Sequence, residues 1–150
     1  MRAVRNFEMF ISEGIVKKQA PDISRANFLS QESDRSYKFL KKIINDYSPT
    51  DENANSIIRL CYDVLMELIR AIMLKNGFNS SGKGAHEAEV SYLRELGFKE
   101  NDVMFADQLR YFRNGIVYYG KILDAEYAKK VIGFLEKIYP ELKNIVKVKK

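Results

Sequence analysis

The sequence predicts an all-α protein, an antiparallel up-and-down bundle of four to six helices. Three observations carry that prediction. Apolar residues recur at spacings of three, four and seven along most of the chain, the period of an amphipathic helix. Strand signals are nearly absent. Only three prolines occur, Pro21, Pro49 and Pro140, and the first two stand where the apolar period breaks.

The elements follow in order. A short helix is predicted over residues 3–12, before Gly14, and Val16–Pro21 then runs extended, because the residue before a proline is pushed out of the α region. The first long helix spans Ile23 to Asp46, with Ala26, Leu29, Tyr37, Leu40, Ile43 and Ile44 on one stripe. Tyr47–Asp51 supplies a turn and capping residues. The second long helix, roughly Glu52 to Lys75, is apolar over most of its girth and belongs at the bundle centre. Its polar residues Ser56, Arg59, Asp63, Glu67 and Arg70 form one narrow stripe. That stripe is either a solvated face with Arg59–Asp63 support or the wall of a polar groove.

Gly77–Gly84 reads as a connecting loop. Its glycines around Lys83 do not have Walker spacing, and no strand precedes them. Helix three covers Ala85 to Glu95 and stops at Gly97, and helix four covers Glu100 to Tyr119 and stops at Gly120. Helix five starts after Asp124 and runs to Tyr139, where Pro140 kinks or ends it, with a final turn or two through Glu141–Val146. Residues 1–150 read as a single domain, with 1–21 as an N-terminal arm and 22–146 as the bundle core.

A chain of 150 residues can bury roughly 70% of its unfolded surface and needs no covalent staples. With one cysteine, Cys61, it has no intrachain disulfide to offer, and a zinc site of several cysteines is excluded. A single histidine, His86, excludes a paired-imidazole metal site, so no metal and no cofactor are expected. No apolar run approaches a membrane span, and no apolar segment follows Met1–Arg5 as a signal peptide would require, so a cytoplasmic protein is expected. The net charge of +5 is partly a terminal cluster, Lys143, Lys147, Lys149 and Lys150. The excess is compatible with RNA or nucleotide partners, and equally with an ordinary lysine-rich tail.

The most informative stretch is Leu109–Lys121. At about 100° per residue, Phe105, Leu109, Phe112, Ile116 and Tyr119 fall on one arc facing the core. Arg110, Arg113, Asn114 and Tyr118 share a separate arc. Guanidinium forks match phosphate oxygens, and a ring beside them can stack on a base. The alternative is a surface of arginines paired with acids on neighbouring helices. Lys83 and Lys121 add further candidate phosphate contacts. Cys61, on the most apolar helix, reads as core.

Arg113-Asn114-Gly115-Ile116-Val117-Tyr118 resembles the Arg-Asn-x-x-x-His signature of HEPN domains. Tyr62–Leu68 resembles the central helix of small archaeal HEPN-like proteins. Gly77-Phe78 through Lys83 to His86-Glu87 and Tyr92-Leu93 resembles their second helical hairpin, and Tyr118–Lys121 resembles the end of their motif. Roughly residues 12–145 are covered. The resemblance implies a helical bundle that pairs as a homodimer, with the motif helices of two protomers lining a shared basic cleft. Many members are metal-independent endoribonucleases, often toxins of toxin–antitoxin pairs whose partner is a minimal nucleotidyltransferase. Others bind nucleotides or RNA without cutting. In the ribonucleases the arginine holds the scissile phosphate, the asparagine orients the site and the histidine acts on the 2′-hydroxyl.

The chain departs from the signature at Tyr118, which stands where the histidine would. An unperturbed tyrosine has a pKa near 10, against about 6.5 for histidine, too far from neutrality for an ordinary general base. It can still donate to a phosphate or stack on a base. Arg113 and Asn114 therefore carry over as ligand-binding candidates, with Arg110, Tyr118 and Lys121 beside them. The catalytic candidates are Arg113, Tyr118 and His86, the last as a replacement base whose tautomer Glu87 would hold. The expected function is RNA or nucleotide binding, with a ribonuclease or a subunit of a nucleotidyltransferase complex as the alternatives.

Overall fold

A computed structural model describes residues 3–147, so Met1, Arg2, Val148, Lys149 and Lys150 lie outside the described residues. Among those described, the chain forms the expected helical bundle, built from six helices with one very small strand pair. The helices are α1 (Phe7–Ser12), α2 (Ile23–Tyr47), α3 (Ala54–Lys75), α4 (Ala85–Glu95), α5 (Glu100–Tyr119) and α6 (Ala125–Lys147). The strands are β1 (Val16–Lys18) and β2 (Phe78–Ser80).

The long apolar helix α3 is the axis. It is buried along most of its length and contacts α2, α4, α5 and α6. Ile58, Cys61, Leu65, Leu68, Ile69 and Ile72 are sealed from solvent. Burial pushes the Cys61 thiol up to about 12, with the charge of Glu136 adding to it, so this cysteine stays protonated in the core. On α2, the hydroxyl of buried Ser33 donates to the Val64 carbonyl of α3 at 2.8 Å. The α2–α6 contact carries Tyr37 and Tyr139, with ring centroids 4.0 Å apart. Asp34 accepts from Tyr139 and, at 2.8 Å, from Lys143. Lys143 thus leaves the basic tail and becomes a structural cation.

Local chemistry shifts several predicted boundaries. The chain over Val4 and Arg5 is extended, because the Arg94 guanidinium takes both carbonyls, at 3.1 and 3.3 Å, so α1 begins only at Phe7. Before α3, Thr50 and Asn53 exchange side-chain and backbone hydrogen bonds at 2.8 and 3.2 Å, which delays the helix to Ala54. Helix α6 continues through Pro140 to Lys147. Pro140 and Glu136, whose carbonyl loses its donor, are both exposed, while Leu142 beyond them is fully buried and keeps the stripe in register.

The one element that the loop reading of 77–84 missed is β2. It pairs antiparallel with β1, Val16 opposite Ser80 and Lys18 opposite Phe78. Three-residue strands are too short for alternation to register, and the partners lie some sixty positions apart in sequence. The seam extends through Gln19 N–H to the Gly77 carbonyl at 2.8 Å and Asp22 N–H to the Leu74 carbonyl at 3.0 Å. Gly77 has φ +86°, and a Cβ there would lie 2.7 Å from the Gln19 carbonyl oxygen, so only glycine fits. The seam seats the N-terminal arm beside the start of α4. Among the described residues no helix is long and apolar enough to cross a membrane.

Candidate functional site

Helix α5 carries the signature segment. Leu109 is buried and Phe105, Phe112 and Ile116 are half-buried, as their arc predicts. Phe105 and Phe112 pack on Tyr127 of α6, with centroids 6.3 and 5.0 Å away. Tyr119 departs from the prediction and is 85% exposed. After Gly120 the chain turns back: Lys121 N–H donates to the Gly115 carbonyl at 3.0 Å, and its ammonium lies 4.5 Å from the Phe112 ring. Asn55 of α3 holds this return by bonds to the Lys121 carbonyl and the Leu123 N–H. No helix is left to cover the outer face of the last turn, so periodicity alone assigned Tyr119 to a core that stops short of it.

The polar arc is split between different surroundings. Arg110 places its Nε on Asp107 at 2.8 Å, a half-buried ion pair within one helix turn. Arg113 makes no ion pair with any described residue. Its guanidinium lies 5.2 Å from the centroid of the buried Tyr62 ring on α3 and makes a long 3.4 Å contact to the Asn114 side-chain oxygen. Asp63, one residue along α3, faces Arg113, Arg59, Arg70 and His86. Desolvation raises its carboxyl above the usual value despite the nearby charges of Arg113, Arg59 and Arg70. The polar stripe of α3 is solvent-exposed at Ser56, Arg59 and Asp63 and half-buried at Glu67 and Arg70.

At the half-buried end of the stripe, α3, α4 and β2 share an ion-pair network that no local pattern in the sequence announces. Glu89, buried on α4, accepts both a 2.7 Å and a 3.1 Å hydrogen bond from the Arg70 guanidinium and a 2.9 Å bond from Ser80 of β2. His86 Nδ1 lies 3.4 Å from the same carboxylate. Burial raises the Glu89 carboxyl, but bonds from His86, Arg70 and Ser80 outweigh it and hold the group below its ordinary value. The carboxylate seen beside the His86 imidazole is Glu89, three residues on and one helical turn inward. The Tyr62 ring lies 6.1 Å from the imidazole, so His86 and Arg113 flank one aromatic ring. The Tyr62 hydroxyl is buried without a hydrogen-bond partner, and burial followed by the charge of Glu89 pushes its ionisation far above the ordinary phenol value.

Two clefts open on this face. One, of about 520 Å³, is bounded by Arg5, Lys83, His86, Glu87, Arg110 and Asn114. The other, of about 470 Å³, is bounded by Tyr111, Asn114, Gly115, Tyr118, Tyr119 and Lys121. Asn114 belongs to both. The structure therefore gathers His86, Arg110 and Asn114 in one cleft and Asn114, Tyr118 and Lys121 in the next, with Arg113 against Tyr62. Tyr118 is 69% exposed, its ring free to stack.

Arg5 is a participant that only the fold discloses, because the seam that carries the arm to α4 leaves no local signal. Among the described residues no group of three or more histidine, cysteine, aspartate or glutamate side chains is placed to hold a metal ion. Comparison of the chain with protein families, with curated proteins and with solved structures finds no match in any of the three.

Proposed function

We propose that this chain is a HEPN-like module that binds RNA or a nucleotide as a homodimer, with Arg113 and Asn114 as the phosphate-holding pair. The observation that carries the reading is the state of Arg113: half-buried, without an ion pair, and lying against an aromatic ring. A guanidinium used structurally normally meets a carboxylate, as Arg70 and Arg110 do here. Arg113 keeps its donors for something else, and the Tyr62 ring limits its freedom so that less entropy is lost on binding. Asn114 supplies an amide to either cleft, Tyr118 a stacking surface, and Lys121 and Arg110 further positive charge. The exposed apolar end formed by Tyr111, Val117, Tyr118, Tyr119 and Ile122 suits a second copy of the chain. The test is binding of labelled single-stranded RNA across a salt series. A steep fall of affinity with salt supports phosphate contacts, and an affinity indifferent to salt removes them.

The His86–Glu89 pair favours a second reading, a metal-independent endoribonuclease. A histidine whose Nδ1 rests on a buried carboxylate presents Nε2 as an acceptor. In that role Nε2 takes the proton of a ribose 2′-hydroxyl, and the oxygen attacks phosphorus. The bond to the 5′-oxygen breaks, that oxygen takes a proton from water, and a 2′,3′-cyclic phosphate remains. Cleavage in excess EDTA that is lost in His86→Ala selects this reading. Binding without cleavage selects the first.

A further inference from the structure

The cleft between the N-terminal arm and the start of α4 lies outside the signature segment except at Arg110 and Asn114, and part of its donor set is unspent. Lys83 makes no hydrogen bond or ion pair with any described residue. Arg110 commits only its Nε, to Asp107, and its terminal nitrogens meet no described acceptor. Arg5 commits one terminal nitrogen to Glu13 at 2.8 Å, while its buried Nε has no hydrogen-bond partner and lies 3.7 Å from Glu87. A buried donor left unmet costs roughly 1–3 kcal/mol, so an acceptor that enters this cleft recovers that cost. Of the lining cations, Arg5 is paired with Glu13 and Glu87 and Arg110 with Asp107, which leaves the Lys83 ammonium uncompensated and the terminal nitrogens of Arg110 open. The volume of about 520 Å³ falls in the range of small-molecule sites.

The open donors are the Lys83 ammonium and the two terminal nitrogens of Arg110. A phosphate monoester presents three terminal oxygens to them, each able to accept from Arg or Lys. A diester within a chain offers one charge and two free oxygens. We propose that this cleft receives the terminal phosphate monoester of the ligand, as a subsite separate from Arg113. The inference rests on the reading of the α5 face as an RNA or nucleotide site. Asn114, shared by the two clefts, then links the terminal-phosphate subsite to the stacking surface of Tyr118.

The test compares 3′-labelled single-stranded RNA of one sequence bearing either a 5′-phosphate or a 5′-hydroxyl, together with adenosine monophosphate titrated by calorimetry. The phosphorylated RNA binds about tenfold tighter, the size of one charge-assisted contact. Lys83→Ala, an exposed substitution that leaves the bundle folded, brings the ratio towards one. Arg113→Ala weakens both RNAs and leaves the ratio. Adenosine monophosphate that binds and is weakened by Lys83→Ala identifies a free nucleotide as a sufficient ligand. A preference confined to the RNA pair identifies the end of a strand. RNAs that bind alike and depend on Arg113 overturn this subsite alone. Absence of binding by both RNAs and the nucleotide overturns the subsite together with the reading beneath it.

Discussion

The Arg113 guanidinium of α5 rests 5.2 Å from the centre of the Tyr62 ring of α3, while Arg70 and Arg110 nearby are each held by a carboxylate. Arg70 is thus gripped by both carboxylate oxygens of Glu89, Arg110 is paired through Nε alone, and Arg113 meets no carboxylate among the described residues. The contact also explains why a tyrosine sits at a fully buried point of the central helix with its hydroxyl unpaired. The ring is met by the Arg113 guanidinium at 5.2 Å and by the His86 imidazole at 6.1 Å.

Tyr62→Phe separates the ring from the hydroxyl. The ring is retained, and the buried oxygen without a partner disappears. The variant should melt at or above the wild-type temperature, a change of about 0–1 kcal/mol, and should bind RNA like wild type. A loss of more than that in thermal denaturation means that the hydroxyl is bonded in solution.

Glu89 supports a stability prediction with a defined sign. Its carboxyl titrates below the ordinary 4.5 in the folded protein, so its contribution is complete above that value and fades as pH falls through the lower folded pKa. Wild type should lose stability below about pH 4.5, and Glu89→Gln should flatten that part of the profile. At neutral pH, Glu89→Ala leaves the Arg70 charge buried without its partner and should cost about 3–5 kcal/mol. Denaturant unfolding at several pH values measures both effects.

Gly77→Ala tests the seam between the arm and the bundle. The new Cβ meets the Gln19 carbonyl in a backbone conformation that disfavours side chains, so the seam must open. The expected loss is about 1–3 kcal/mol, with proteolytic sensitivity appearing first near Lys17 and Lys18. Stability equal to wild type contradicts the placement of β1 against β2.

The exposed end of α5 predicts an assembly. Light scattering should report twice the chain mass of 17.4 kDa, and Tyr119→Glu with Ile122→Glu should return it to one chain with an unchanged helical spectrum. A monomeric wild type removes the homodimer from the account.

Much of this architecture was legible locally. The stripe of α2, the all-round apolarity of α3 and the glycine stops after α4 and α5 each depend on residues within one or two turns, and they placed the helices closely. What escaped was non-local. Arg94 takes the carbonyls of Val4 and Arg5 across the molecule and shortens α1, and β1 pairs with β2 across two intervening helices. The site divides in the same way. Periodicity grouped Arg110, Arg113, Asn114 and Tyr118, but it could not show that Asp107 claims Arg110, that Tyr62 holds Arg113, or that His86 leans on Glu89. Nor could it show that the final turn of α5 outruns its neighbours and leaves Tyr119 in solvent.

The most direct measurement compares RNA binding by wild type, Arg113→Ala and Arg25→Ala, the last an equal change of charge on the exposed face of α2. The account predicts that Arg113→Ala weakens binding about 10–100-fold, or roughly 1.4–2.8 kcal/mol, and lowers the salt slope by about one, while its melting temperature holds and Arg25→Ala behaves as wild type. Equal binding by all three proteins, or Arg113→Ala unfolding with no separate effect on affinity, would show Arg113 to be structural and contradict the site.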